Sequence, residues 1–169
     1  KNSIGKYIFF IGCFIFWLFL ALFSSKLIVD NLTSGHHYSN AVFQLHYLKN
    51  AGAAFSLLQN AREFLIIVSI VAITMLFMYV HNHIKNIISL SFIALLCSGI
   101  ASNCHERIIL GYVRDYIQLN FVNFPIFNVA DIFITIGVIA LVVILFATRE
   151  DNMILTIDEN SEDLRLDSY

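Results

Sequence analysis

Four uncharged apolar segments constrain the fold of this chain more than any other feature. They are residues 7–23, 64–80, 87–101 and 132–147. Each is somewhat shorter than the roughly 20 residues that cross a bilayer, but flanking residues can extend each helix, with Lys26 placed to snorkel at the end of the first. The chain is 59% hydrophobic and 13% charged, whereas soluble domains are roughly 45–50% apolar and about 25% charged. We therefore predict a mainly α-helical membrane protein with four transmembrane helices.

One membrane domain is predicted over residues 1–169. Its four spans are placed at residues 7–29, 64–80, 87–104 and 131–148. The first apolar run is expected to remain as a span, because no small-residue cleavage site lies near it. Residues 81–86 are long enough only for a tight turn, so the second and third spans should form an antiparallel hairpin. The acidic tail, residues 150–169, is expected to be flexible.

Two long polar loops are predicted on the side of the membrane opposite the termini and the tight turn. They are residues 30–63 and 102–131. Within the first loop, Ala41 to Tyr47 alternates partly between apolar and polar residues, which predicts a strand in a small sheet resting on the bilayer. Basic residues are divided almost equally between the two sides, so they favour cytoplasmic termini only weakly.

Composition and residue pattern exclude several classes of function. The formal net charge of −2 offers no basic excess for nucleic acid. Two of the three cysteines, Cys13 and Cys97, lie inside apolar runs, which excludes a disulfide framework. Cys104, His105 and Glu106 are adjacent, and adjacent residues seldom point at one ion, so no metal or other cofactor is predicted. Apart from nearby Arg107, Cys104 also lacks neighbours that would activate a catalytic thiol.

Two aspartates in the second long loop are candidates for acid and base chemistry. Asp131 opens the fourth span, where a carboxylate needs a reason to lie at the membrane boundary. Asp115 precedes it on the same side of the membrane. Two carboxylates in a partly dry site cannot both ionise easily, so one keeps a proton while the other deprotonates a water molecule. The alternative interpretation is that Asp131 caps the helix and Asp115 is a solvated charge.

Other polar residues near these loops suit supporting roles. Asn103 and Arg107 are able to hydrogen-bond a loop or a carboxylate. The small residues that follow Asn50, beginning with Ala51 and Gly52, allow a close backbone approach to another chain or a ligand. A tight turn at the membrane surface is the alternative interpretation of that stretch.

Three sequence boxes together resemble those of lipoprotein signal peptidase, the type II signal peptidase of bacteria. KNAGAAFS (49–56) is similar to the family's Asn-x-Gly-Ala-Ala-Phe-Ser box. SNCHER (102–107) followed by GYVRDYI (111–117) is similar to its Gly-Asn-x-x-Asp-Arg and Gly-x-Val-x-Asp-Phe-Ile segment. FNVADIFITIG (127–137) is similar to its Phe-Asn-x-Ala-Asp box.

The resemblance implies an intramembrane aspartic peptidase whose catalytic pair is Asp115 and Asp131. The supporting or substrate-binding residues that it implies are Asn50, Gly52, Asn103, Arg107 and Asn128. The implied substrate is a prolipoprotein whose cysteine carries a diacylglyceryl group, cut just before that cysteine. The site would face outward from the bacterial cytoplasmic (inner) membrane, with cytoplasmic termini. The implied partners are this substrate and membrane lipid, for a monomer without cofactors, and cyclic peptide antibiotics as inhibitors.

The chain departs from the family's pattern at three places. The first-span Asp-Gln-x-(Thr or Ser)-Lys box begins here with Leu22, and Ser102 replaces a glycine. Glu106 replaces an aspartate; it can still pair with Arg107, although its longer side chain alters the placement of the loop. These changes leave open a weakened homologue that binds lipoproteins. A second alternative, from a different class, is a small membrane transporter or scaffold without catalysis, whose aspartates bind a proton or a ligand.

Overall fold

Four helices and two strands make up the described part of the chain. The computed structural model describes residues 3–52, 61–83 and 86–166. In chain order the elements are α1 (Ser3–Thr33), β1 (Phe43–Asn50), α2 (Arg62–His83), α3 (Ile87–Leu110), β2 (Val113–Leu119) and α4 (Val129–Leu166). Within those residues, four helices are long and apolar enough to cross a membrane. The predicted mainly helical membrane fold is therefore confirmed.

The helices are longer than the apolar runs that predicted them. Helix α1 continues past residue 29 to Thr33 and stops just before Gly35, whose φ of 90° lies in the left-handed region that favours glycine. Helix α4 passes the predicted end at residue 148 and continues to Leu166. The acidic tail is thus helical up to that residue, while its flexibility and the domain limits stay predictions.

Helix α3 forms the centre of the bundle and packs against α1, α2 and α4. In its most apolar stretch 61% of the residues are buried, compared with 6–17% for the other three spans. Large apolar side chains on those helices, such as Phe19, Ile67 and Ile139, are instead exposed. An exposed apolar surface of this extent is expected where lipid replaces water.

Two glycines bring α3 and α4 into close contact. A Cβ atom on Gly99 would lie 2.6 Å from the carbonyl oxygen of Ala130, and one on Gly137 would lie 2.5 Å from the Cβ of Leu96. Small residues allow helix backbones to approach closely in membranes, where packing rather than the hydrophobic effect drives association. The Gly99 contact fixes the start of α4 against α3, and thereby the depth of Asp131.

Gly137→Ala should destabilise the bundle, because its new methyl group meets the Leu96 backbone, with the Cα only 2.9 Å away. We expect a loss of about 1–3 kcal/mol, typical of overpacking. Thermal unfolding in detergent measures it. Gly12→Ala is the matched control, since nothing lies within 4 Å of that position in α1 and alanine is the better helix former. Equal melting temperatures for the two variants would contradict the close-packing account.

The two strands form an antiparallel sheet beside the bundle. Phe43 pairs with Leu119, and Asn50 pairs with Val113. The register shifts between Leu45 and Leu48, as in a β-bulge. The predicted small sheet is confirmed, but the strand runs over 43–50 rather than 41–47, so Asn50 lies within it.

At the other end of the bundle, the start of α1 meets the end of α2. The Tyr7 hydroxyl lies 2.6 Å from Nδ1 of His81, and Lys6 Nζ donates to the carbonyl of Val80. Asn86 caps α3, its side chain accepting from the amide of Ile88 at 2.8 Å. The start of α1 therefore lies at the same end of the bundle as the junction between α2 and α3, as predicted.

Candidate active site

Strand β2 carries Asp115 into the interior of the protein. The side chain is only 2% exposed, and its neighbour Tyr116 is fully buried. Asn50, at the end of the neighbouring strand β1, donates from Nδ2 to Asp115 Oδ2 at 2.8 Å. The backbone amide of Gly52 donates to Asn50 Oδ1 at 3.0 Å, which turns the Asn50 amide nitrogen toward the carboxylate.

Asn128 and Asp131 together begin helix α4. The Asp131 amide donates to Asn128 Oδ1, and the Asn128 amide donates to Asp131 Oδ2, both at 3.0 Å. This reciprocal pair is a capping box. The hydroxyl of Tyr116 accepts from the amide of Val129 at 3.3 Å and satisfies a further free donor of the first turn.

The chain before α4 folds back along β2, and this return brings the two aspartates together. Phe127 and Ile117 exchange backbone hydrogen bonds of 2.8 and 3.0 Å. The next residue, Asn128, therefore lies beside Asp115 and donates from Nδ2 to Asp115 Oδ1 at 2.8 Å. Asn128 thus contacts both aspartates at once, one through its side chain and the other through the cap.

Helix α3 supplies Asn103 and Arg107. Asn103 donates to Asp131 Oδ1 at 2.8 Å, while its own Oδ1 accepts from Asn128 at 3.2 Å. Arg107 donates to the carbonyl of Gly52 at 2.9 Å, so it holds the backbone that follows β1 rather than a carboxylate. The remainder of the KNAGAAFS box, from residue 53 onward, lies outside the described residues.

All four carboxylate oxygens of the pair accept an amide hydrogen bond. The donors are the side chains of Asn50, Asn103 and Asn128 and the backbone amide of Asn128. Among the described residues, the single ion pair is elsewhere, between Arg114 and Glu106. Neutral amides orient the two carboxylates without neutralising them, and the positive charge of Arg107 acts on Asp115 without an ion pair.

Burial raises the pKa of Asp115 to about 7. The negative charge of Asp131 acts in the same direction, whereas the hydrogen bonds from Asn50 and Asn128 and the positive charge of Arg107 oppose it. A carboxyl group with such a pKa exchanges its proton near neutral pH, as acid and base catalysis requires.

A groove of about 850 Å³ opens at the two aspartates. At its polar end lie Asn50, Gly52, Asn103 and Arg107 together with the pair. From there it continues between the sheet and α4 along apolar residues. They include Leu119, Phe124, Pro125, Ile132 and Ile136. A groove with a polar end and an apolar remainder is suited to a molecule that itself has a polar and an apolar part.

The structure corrects the expected partner of Glu106 and adds one site residue, Tyr116, that the sequence did not indicate. Glu106 pairs with Arg114 at 2.7 Å rather than with Arg107, because neighbouring residues on a helix point in different directions. The same divergence leaves Cys104 buried and His105 exposed, and the described residues hold no cluster suited to a metal ion. Tyr116 was missed, since nothing in the sequence links a strand tyrosine to a helix start.

Comparison with known proteins gives consistent results. The family model for Signal peptidase (SPase) II matches residues 13–147. The lipoprotein signal peptidase of Streptococcus thermophilus (strain CNRZ 1066) is 45% identical over 112 residues, covering 66% of this chain and 72% of the relative. That of Streptococcus agalactiae serotype III (strain NEM316) is 41% identical over 109 residues, covering 62% of this chain and 69% of the relative.

Solved structures extend the similarity to the fold. One structure, described as a bacterial membrane enzyme, superposes with a TM-score of 0.78 at 26% identity, over 89% of this chain and 93% of that one. A second of the same description gives a TM-score of 0.73 at 27% identity, over 86% and 95%. Since the family model extends from the first span into the fourth and includes both aspartates, this chain belongs to the signal peptidase II family.

Proposed function

We propose that this protein removes signal peptides from prolipoproteins by aspartic-peptidase chemistry, with Asp115 and Asp131 as its catalytic residues. The observation that carries this proposal is the pair itself: two carboxylates from different elements share the contact of Asn128. Asp115 is buried, and this burial raises its pKa to about 7. Membership of the signal peptidase II family makes peptide-bond hydrolysis the reaction that such a pair serves.

In the proposed mechanism a water molecule lies between the two carboxylates. The water attacks the scissile carbonyl, and the ionised carboxylate takes a proton from this water as the bond forms. The protonated carboxyl donates a hydrogen bond to the carbonyl oxygen, and a proton then passes to the leaving amine. The pair shares one proton, so its titration belongs to the pair and not to either residue alone. Asn50, Asn103 and Asn128 hold the carboxylates in place throughout.

The proposed substrate is a prolipoprotein with a diacylglyceryl-modified cysteine. The peptide would lie at the polar end of the groove, beside Asn50 and Gly52, and the acyl chains along its apolar part beside Ile132 and Ile136. Burial of acyl chains contributes roughly 0.8 kcal/mol per methylene group. We further propose that the site faces outward from the cytoplasmic membrane and that the termini are cytoplasmic.

The family resemblance alone supports two further proposals, on oligomeric state and on inhibitors. We propose that the protein acts as a monomer and that cyclic peptide antibiotics inhibit it. The non-catalytic alternatives are not favoured, because the curated relatives are lipoprotein signal peptidases. A transporter would also need polar residues near the middle of several spans, whereas here Asn103, Asp115, Asn128 and Asp131 cluster at one end.

The pH profile of cleavage tests the shared proton. We expect kcat/KM to fall as the pH rises above about 7, because the pair then loses the proton that it donates. Asn50→Leu removes a hydrogen bond that favours the ionised form of Asp115, so the alkaline limb should move to higher pH. A kcat/KM that stays constant at pH values well above 7, measured on folded protein, would contradict the proposal.

A further inference from the structure

Within the described residues, Glu106 accepts more hydrogen bonds than any other charged side chain near the catalytic pair. It is 3% exposed. Its Oε1 accepts from Ser25 of α1 at 2.8 Å and from Nε and Nη2 of Arg114 at 3.0 and 2.7 Å. Its Oε2 accepts from the backbone amide of Arg114 at 2.8 Å. One carboxylate therefore joins α1, α3 and β2.

The second partner, Arg114, directly precedes Asp115 on β2. Gly111 ends α3 in the left-handed conformation, with a φ of 86°, and Val113 already belongs to the strand. The chain thus turns from α3 into β2 within a few residues, and Glu106 bonds the strand back to the helix immediately after that turn. The family's Gly-x-Val-x-Asp-Phe-Ile segment leaves position 114 open, so the resemblance assigns no role to this arginine.

We propose that Arg114 is a positioning residue for the catalytic pair. It bonds Glu106 with both its backbone and its side chain, which fixes the strand position before Asp115 to α3 and α1. It also cancels the buried charge of Glu106, which lies three residues along α3 from Asn103. This inference rests on the proposed function, and it adds Arg114 and Glu106 to the residues on which catalysis depends.

The electrostatic surroundings explain why this cancellation matters. The charged groups that act on Asp115 are Asp131 of α4 and Arg107 of α3. The ion pair of Glu106 and Arg114 lies beside them, because Arg114 directly precedes Asp115 on β2. On β1, Asn50 bonds Asp115 and is neutral, whereas Lys49 is the cross-strand partner of Arg114 and lies over the Tyr112 ring. Ser25 of α1 is neutral. Glu106 also acts electrostatically on Asp131. Without Arg114, the site would hold a third carboxylate with no cation bound to it.

Kinetics of the Arg114→Met variant provide the first test. We expect kcat per folded enzyme to fall by about tenfold or more, as on loss of hydrogen bonds to a charged group, while KM changes by less than about twofold. Arg114→Lys keeps the charge but not the paired guanidinium bonds, so it should recover only part of kcat.

Glu106→Asp should also lower kcat, because its shorter side chain cannot reach Ser25 and Arg114 together. His105→Gln, on an exposed neighbour of α3, is the control.

Infrared titration of the Asp115 carboxyl provides a second test that needs no cleavage. The band is assigned by its loss in Asp115→Asn. In Arg114→Met the midpoint should move to higher pH, because the uncancelled charge of Glu106 favours protonated Asp115. The neutral double variant Glu106→Gln/Arg114→Met should return it toward the wild-type midpoint.

The two tests separate failure of this inference from failure of the proposed function. If Arg114→Met lowers only the melting temperature, with kcat per folded enzyme and the Asp115 titration unchanged, the pair is a structural brace and the inference is wrong. If the wild-type protein does not cleave lipidated prolipoprotein, the proposed function is wrong, and the infrared titration still decides whether Arg114 controls the Asp115 carboxyl.

Discussion

Asp115→Asn and Asp131→Asn should each lower kcat for a lipidated prolipoprotein by at least about a thousandfold, within the range that acid and base groups contribute. An amide can neither accept the proton of the attacking water nor donate one to the leaving amine. Both variants are nearly isosteric with the wild type, so the folded structure should survive. Single-turnover cleavage measured on protein that elutes as one folded species gives the comparison.

Cys104→Ala is the control for the aspartate variants. Cys104 is buried on α3, close in sequence to Asn103, but it has no part in the proposed mechanism and should keep near wild-type activity. Appreciable turnover by either aspartate variant would remove the assigned catalytic roles. Loss of turnover in folded Cys104→Ala would instead point to thiol chemistry.

Asn128→Ala should impair both stability and catalysis, since Asn128 caps α4 and also bonds Asp115. Loss of the cap should cost roughly 1 kcal/mol. Loss of the amide donor to Asp115 should lower kcat roughly 10- to 100-fold, since a hydrogen bond to a charged group is worth about 1.5–3 kcal/mol. Melting temperature in detergent and kcat on the same preparation measure the two effects.

The Asn128→Ser variant separates these two roles. A serine hydroxyl can accept from the amide of Asp131 and restore the cap, but it cannot reach Asp115 and Asn103 as the asparagine amide does. We therefore expect recovery of stability without recovery of kcat. If Asn128→Ser regains wild-type activity, the bond from Asn128 to Asp115 is not needed for catalysis.

The sequence predicted those features that depend on one-dimensional patterns. Four apolar runs predicted four spanning helices, because hydropathy alone determines which segments favour lipid. It could not predict where the helices end: hydropathy marks the limits of the membrane, and the charged residues after Ala147 are compatible with a helix that continues to Leu166. The partner strand β2 was missed since Arg114 and Asp115 interrupt any apolar alternation.

The composition of the site was predictable, but its connections were not. From the sequence, a helix cap at Asp131 and a pairing of Asp131 with Asp115 are alternatives. In the structure Asp131 caps α4 through Asn128, and the side chain of the same Asn128 bonds Asp115. The contact depends on the return of Phe127 along β2, a tertiary feature without a local sequence signal. The pairing of Glu106 with Arg114 likewise depends on the turn at Gly111, which reverses the chain between them.

The most direct test of the central claim is cleavage of a diacylglyceryl-modified prolipoprotein by the purified protein. The same prolipoprotein without its lipid is assayed in parallel, and both reactions are followed by gel shift. The account predicts that only the lipidated form is cut, immediately before the modified cysteine. Equal cleavage of the unlipidated chain would contradict a substrate recognised in the apolar groove. Retention of the lipidated chain by folded protein without cleavage would contradict the peptidase itself.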